Sequence, residues 1–155
     1  MTAGATAQPE THALLRVLAT GRDVLELGSA FGVGAAAMAE TARSVTTIEL
    51  DPERAAATRE RVRDLPNVRA LEGDWREVAD GSYGLVFADA GRYDYERIVE
   101  LTAVGGFIVK DDLTPGRPID GDPVREFLLR DRRLAAAEIL TRPDAAAIVA
   151  VRVAL

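Results

Sequence analysis

The feature that most constrains the fold is a regular alternation of short apolar stretches with segments of helical character. Strands joined through helices lie parallel in one sheet, because a helical connection returns the chain to the same end of the sheet. The predicted strands are residues 23–27, 44–50, 68–73, 83–90 and 105–112. The predicted helices are residues 10–18, 34–41, 51–65, 74–78, 93–104 and 122–130.

The last part of the chain breaks this alternation. Two strand-like stretches, 134–141 and 146–153, are separated only by RPDA (142–145), which is too short for a helix. Such a connection joins antiparallel neighbours. The sequence therefore predicts an α/β fold, a doubly wound, mostly parallel seven-stranded sheet that ends in an antiparallel β-hairpin. We expect residues 1–155 to form a single domain, with 1–20 as a short N-terminal helical segment.

Composition narrows the classes of partner. The chain has a formal net charge of −6 and no cysteine. The negative net charge argues against a broad surface for binding nucleic acid. Without cysteine, the chain cannot form disulfides or thiolate metal sites. The N-terminus lacks the pattern of a signal peptide, and the longest apolar run, 145–151, is too short to span a bilayer. We therefore expect a cytoplasmic protein without a membrane partner.

One predicted turn is almost free of side chains. In DVLELGSAFGVG (23–34), Glu26 lies just inside the strand, and Gly28, Gly32 and Gly34 follow it. Glycines at such a turn let a ligand approach the backbone closely. Their spacing differs from the G-x-G-x-x-G typical of a pyrophosphate site, and no Walker-type phosphate loop is present. The structural alternative is that the glycines only relieve packing between helix and strand.

Carboxylates follow the predicted strands one after another. In an open α/β sheet, ligands bind at the carboxyl ends of the strands. Glu49 lies about 20 residues beyond the first glycine, where an acid commonly accepts hydrogen bonds from ribose hydroxyls. An acidic rim without a basic phosphate clamp suits a positively charged nucleoside such as S-adenosylmethionine. The rim consists of Glu26, Glu49, Asp74, Asp89, Asp111 and Asp112.

The chain also resembles the class I S-adenosylmethionine-dependent methyltransferases. The matching stretches are VLELGSAFGVG (24–34), VTTIELDPERA (45–55), LEGDW (71–75), LVFADA (85–90) and GGFIVKDD (105–112). They are most similar to the small-molecule O-methyltransferase branch, of the catechol and caffeoyl-CoA type. The resemblance implies a Rossmann-like methyltransferase fold. It also implies methyl transfer from S-adenosylmethionine to a small-molecule acceptor, at oxygen, with S-adenosylhomocysteine as product.

The resemblance further implies how the cofactor is held. It assigns the methionine end to Glu26, Gly28, Ser29, Ala30 and Gly32, the ribose to Glu49, the adenine to Leu50, Asp74 and Trp75, and the methyl group to Asp89. The family often has a second glycine where this chain has Ala30. A positive φ at Ala30 would therefore strain the turn.

In the catechol branch a divalent cation binds the acceptor oxygens and lowers their pKa. The resemblance places its ligands at Asp89, Asp111 and Asp112, a hard-oxygen set suited to Mg²⁺. Where the branch commonly has a lysine, this chain has Arg92, which is always protonated and cannot act as a base, although it could orient an anionic substrate. The candidate general bases are Asp89, Asp111 and His12, followed by Lys110 and Tyr93.

Several of these residues have a structural alternative. Asp111 and Asp112 would then simply begin a turn, His12 would lie on the surface, and Trp75 would be a boundary aromatic. Tyr93 and Tyr95 either line the acceptor site or begin a helix. Four arginines are predicted to form a solvated helix face, at positions 125, 130, 132 and 133.

Two other functions stay open at this point. One is a non-catalytic S-adenosylmethionine-binding domain with a regulatory or partner role, and the other is an aminopropyl transferase of the polyamine type. Few residues precede the first strand to form a cap over the acceptor. The acceptor pocket is therefore expected from residues 10–14, 92–95 and 113–123, or from the second subunit of a homodimer.

Overall fold

The computed structural model describes residues 7–91 and 93–154. Its helices are α1 (Pro9–Ala19), α2 (Val33–Ala39), α3 (Pro52–Val62), α4 (Trp75–Val78), α5 (Tyr95–Leu101) and α6 (Pro123–Arg130). Its strands are β1 (Asp23–Leu27), β2 (Ser44–Glu49), β3 (Val68–Glu72), β4 (Tyr83–Ala88), β5 (Thr102–Leu113), β6 (Leu134–Arg142) and β7 (Ala145–Arg152).

The strands form one seven-stranded sheet in the order β3-β2-β1-β4-β5-β7-β6. Strands β1 to β5 are parallel to one another, while β7 runs antiparallel to both β5 and β6. The chain moves outward from β1 to β3 and then returns to β4, so the strand order reverses between β1 and β4. The predicted doubly wound sheet with its terminal hairpin is confirmed.

Aspartates begin four of the helices. Asp51, Asp74, Asp94 and Asp122 each accept a hydrogen bond from a backbone N–H in the first turn of α3, α4, α5 and α6. These bonds satisfy N–H groups that have no partner within the helix, and the negative charge suits the positive end of the helix dipole. Asp51 and Asp74 each lie two residues beyond a strand, so α3 and α4 begin directly at the carboxyl ends of β2 and β3.

Both faces of the central strands β1, β4 and β5 are buried. Val24, Leu85 and Val109 pack on the side of α1 and α2, with Leu15 and Met38 among their neighbours. On the other face, side chains of β1, β4 and β5 pack against α5 and α6. The central strands are therefore held rigidly, and the loops at their carboxyl ends rest on a fixed base.

The helix predicted over 93–104 is shorter than expected. It ends at Leu101, and β5 begins at Thr102, which pairs with Tyr83 of β4. The Thr102 hydroxyl donates to the carbonyl of Ile98 at 2.8 Å, and Gly105 has a φ of +80°, so the chain turns into the sheet at this point. The tertiary pairing with β4 overrides the local helical pattern.

The prediction of a solvated arginine face on α6 is wrong for Arg125. Its side chain is fully buried, because the guanidinium group is paired with Asp122 and Glu138. No helix in residues 7–91 and 93–154 is long and apolar enough to cross a membrane.

Candidate active site

A crevice of about 440 Å³ opens at the carboxyl ends of β1 to β4, where the strand order reverses. This is the place at which open α/β sheets bind their ligands. The crevice is lined by Gly28, Ala30, Ile48, Glu49, Leu50, Arg54, Gly73, Asp74, Trp75, Asp89, Ala90, Gly91 and Asp112. Most of the predicted cofactor residues are thus brought together, and four of the lining residues carry carboxylates.

The turn after β1 requires its glycines. Gly28 has a φ of +93°, and a Cβ there would lie 3.1 Å from the amide nitrogen of Ala90. Gly32 has a φ of +76° and lies at the N-cap of α2. Ala30 also has a positive φ, of 48°, so the strain anticipated for this position is present. Relief of packing between helix and strand does not by itself explain these positive φ angles, which turn the backbone of Gly28 and Ala30 toward the crevice.

Glu26 is buried behind this turn. Its carboxylate accepts a hydrogen bond from the Thr47 hydroxyl on β2, and it lies where a side chain on Gly34 would otherwise be. Burial raises the pKa of Glu26 to about 8, and the charges of Asp89 and Glu49 add to this shift against the effect of Thr47. Glu26 is therefore protonated to a large extent at neutral pH until a positive charge comes near it.

Glu49 holds the glycine turn in place. Its carboxylate accepts hydrogen bonds from the N–H of Ala30 at 2.8 Å and from the N–H of Asp51 at 3.0 Å. Each carboxylate oxygen has two lone pairs, so these bonds leave room for further donors. Ser29 is buried in the same turn, and its hydroxyl has no partner among the described residues.

The outer part of the crevice has apolar walls. Leu50 is 57% exposed and lines the opening, while Trp75 is buried and its indole N–H has no partner in the described part of the chain. Trp75 belongs to the core and also borders the crevice, so its two interpretations are compatible. Asp74 lies beside it, and its carboxylate binds the side chain of Arg76 as well as capping α4.

Asp89 follows β4 and lines two cavities, the main crevice and a smaller cleft beside it. Burial raises the pKa of Asp89 to about 7. The ammonium group of Lys110 lowers this pKa, and the carboxylates of Asp112 and Asp111 raise it. A carboxyl group that titrates near neutral pH is suited to accept a proton during a reaction.

His12 lies on α1 and reaches the smaller cleft, which it shares with Glu26 and Asp89. Its Nε2 is buried and has no partner among the described residues, so the interpretation of His12 as a surface residue is wrong. Burial lowers the pKa of His12, although the charge of Asp111 opposes the shift. Burial thus favours the neutral form of the His12 imidazole.

The predicted metal ligands do not form a metal site. Within residues 7–91 and 93–154, no three carboxylate or imidazole groups are arranged to hold a cation. Asp111 is fully buried, and its Oδ2 has no partner in that part of the chain. Asp112 is exposed and has a φ of +60°. The geometry does not fit the predicted Mg²⁺ set, and Arg92 lies outside the described residues.

The structure places two basic residues near the site, Arg54 and Lys110. Arg54 on α3 lines the crevice and places a positive charge at its edge. The sequence indicates Lys110 only as a less favoured base, yet its ammonium group is buried next to the acidic rim. The one sequence signal for Lys110 is that it is the only lysine in a chain whose other permanently charged basic residues are arginines.

No family model and no curated protein matches this chain, whereas several solved structures are similar to it. The O-methyltransferase TomG of Streptomyces achromogenes, solved with SAM, is similar over 98% of this chain and 83% of its own, with a TM-score of 0.80 and 19% identity. The O-methyltransferase of Bacillus cereus, solved with SAH, is similar over 96% and 83%, with a TM-score of 0.78 and 18% identity.

The chain has the methyltransferase fold. A further structure with this fold, an rRNA methylase of Streptococcus thermophilus, is similar over 96% of this chain and 98% of its own, with a TM-score of 0.73 and 15% identity. Proteins of this fold thus include enzymes whose names indicate very different acceptors. The methyltransferase fold predicted from the motifs is confirmed, and the acceptor has to be argued from the site itself.

Proposed function

We propose that this protein is a methyltransferase that transfers the methyl group of S-adenosylmethionine to an oxygen of a small-molecule acceptor. The observation that carries the proposal is the acidic crevice at the switch point of a methyltransferase fold. The sulfonium and ammonium groups of this cofactor are positive, so carboxylates around the crevice attract it. The same carboxylates would repel the pyrophosphate of a dinucleotide.

The proposed cofactor contacts follow the wall of the crevice. Glu49 would accept hydrogen bonds from the ribose hydroxyls through the lone pairs that its backbone contacts leave free. Leu50, Asp74 and Trp75 would surround the adenine. The turn from Gly28 to Gly32 would hold the methionine end, and Glu26 would ionise when the ammonium group binds, because a nearby positive charge lowers the pKa of a carboxyl group.

The proposed chemistry is a direct displacement. When bound, the cofactor supplies a methyl carbon activated by the sulfonium, and a carbon–oxygen bond to the acceptor forms as the carbon–sulfur bond breaks. The protein aligns the acceptor with this carbon and removes the hydroxyl proton. We infer that Asp89, whose pKa is about 7, accepts this proton. His12, which lines the same smaller cleft, is the second candidate acceptor.

This assignment predicts a large loss of activity in Asp89→Ala. In a panel of phenolic and other hydroxyl acceptors, we expect methyl transfer to fall at least tenfold relative to the unmodified protein, because the proton acceptor is missing. The wild-type rate should rise with pH through about 7. Asp80→Ala, at an exposed position after α4, is the matched control and should retain the activity.

An unchanged rate in Asp89→Ala would remove this residue from the mechanism. Binding of S-adenosylmethionine without transfer to any acceptor would favour the non-catalytic domain instead. The cytoplasmic location and the homodimer stay predictions from the sequence.

A further inference from the structure

Lys110 is the only lysine of the chain, and it is buried at the carboxyl end of β5. Its ammonium group donates a hydrogen bond to the backbone carbonyl of Asp111 at 2.6 Å. The same group lies 5.3 Å from the centre of the Tyr93 ring. Backbone and aromatic contacts thus hold a positive charge in a fixed position beside the site.

The charges around Lys110 are acidic. Burial raises the pKa of both Asp89 and Asp112, and the Lys110 ammonium opposes this shift at each of them. Asp111, next in sequence, adds a third carboxylate that is fully buried. These are the three residues that the resemblance to the catechol branch implies as ligands of a divalent cation. Of the three, Asp111 is buried, and a buried negative charge is costly without a positive charge near it; the buried ammonium of Lys110 supplies one.

We propose that the Lys110 ammonium takes the place of a divalent cation at the ends of β4 and β5, and that methyl transfer here is independent of metal. The inference rests on the proposed function where it concerns methyl transfer, whereas its claim about cation binding does not. An ammonium is a compact point charge with three donors, and the described residues occupy one of them, through the Asp111 carbonyl. Such a charge needs none of the octahedral ligand set that Mg²⁺ demands.

The proposal is tested by titrating the purified protein with Mn²⁺, followed by electron paramagnetic resonance and by calorimetry. The wild-type protein should show no Mn²⁺ site with a dissociation constant below about 1 mM. Lys110→Met removes the charge while keeping an unbranched side chain. We expect it to bind Mn²⁺ at least tenfold more tightly, because the rim carboxylates then lose their counter-charge.

Two controls make the comparison specific. Lys110→Arg keeps the positive charge and should bind Mn²⁺ as weakly as the wild type. Arg54→Met removes a different positive charge from the crevice and should change Mn²⁺ affinity by less than about threefold, because Arg54 lies on α3, which follows β2, three strands away from β5 in the sheet. Tight Mn²⁺ binding by the wild type, or no gain in Lys110→Met, would overturn the proposal.

A second measurement does not depend on folding of the variants. Methyl transfer by the wild type should be undiminished in EDTA and unstimulated by Mg²⁺. Activity that EDTA abolishes and Mg²⁺ restores would contradict metal independence. A protein that binds neither S-adenosylmethionine nor Mn²⁺ would instead count against the proposed function alone, so the two failures are distinguishable.

Discussion

At the residue scale, the contact between Glu26 and Gly34 determines whether a carboxyl group fits at the end of β1. Glu26 occupies the end of β1, and its carboxylate lies against the first turn of α2, where only a glycine leaves enough space. The residue is fully buried and its other oxygen is bonded to Thr47, so it cannot easily move aside. Gly34 thus allows a carboxyl group to remain inside the sheet edge, close to the crevice.

A double-mutant cycle tests this contact. Gly34→Ala should lower the free energy of unfolding by about 1–3 kcal/mol, because the new methyl group overlaps the Glu26 carboxylate. In a Glu26→Ala background the same change should be neutral or stabilising by up to about 1 kcal/mol, since alanine is the better helix former. Urea denaturation of the four proteins measures the coupling. An equal cost in both backgrounds would show that the carboxylate is not the obstacle.

At the element scale, Arg125 joins three parts of the molecule. From α6 its guanidinium group donates to Glu138 on β6 at 2.7 and 2.9 Å, to Asp122 at 2.5 Å and to the carbonyl of Thr114 at 2.7 Å. The loop over 114–122, which follows β5 beside the site, is therefore attached at both ends. Without Arg125, both of these carboxylates would lose their counter-charge.

Arg125→Leu should lower the free energy of unfolding by about 3 kcal/mol, because it leaves partly buried carboxylates unpaired. The matched control is Arg130→Leu on the same helix, whose ion pair with Asp120 is exposed, and its cost should stay under about 1 kcal/mol. Thermal and urea unfolding compare the two. Similar losses in both variants would mean that burial of Arg125 adds nothing.

The elements differ in how far they could be predicted from the sequence. Strand positions and helix caps depend on neighbouring residues, so the seven strands and the Asp51 cap were predictable. The end of α5 depends on pairing between β4 and β5, and the burial of Arg125 depends on Glu138 on another strand. Likewise, the rim acids could be placed on strand ends, whereas the position of the Lys110 ammonium follows only from packing.

At the scale of the whole molecule, the site acids affect stability. The folded-state pKa values of Glu26 and Asp89, about 8 and 7, are raised above those of the unfolded chain, which are near 4. The folded protein therefore holds protons that the unfolded chain has released, and a rise in pH favours unfolding. Asp23, with a pKa lowered to about 2, acts oppositely, but only below about pH 4.

We therefore predict that the free energy of unfolding is highest near pH 4–5 and falls by at least about 1 kcal/mol between pH 5 and 8. The pKa of His12 is lowered on folding, so this one residue makes the free energy of unfolding rise with pH up to about pH 6.5 and partly offsets the fall. Urea denaturation across this range measures the effect, and the fall should be shallower in Glu26→Gln. Stability that rises steadily from pH 5 to 8 would contradict the raised pKa values of the site.

The central claim is that the acidic crevice binds a positively charged nucleoside. Isothermal titration calorimetry with S-adenosylmethionine tests it most directly, with NAD as the comparison ligand. We predict one site per chain for S-adenosylmethionine, with a dissociation constant on the order of micromolar, and at least tenfold weaker binding in Glu49→Ala. NAD should not bind in this range. Micromolar binding of NAD together with no binding of S-adenosylmethionine would contradict the account.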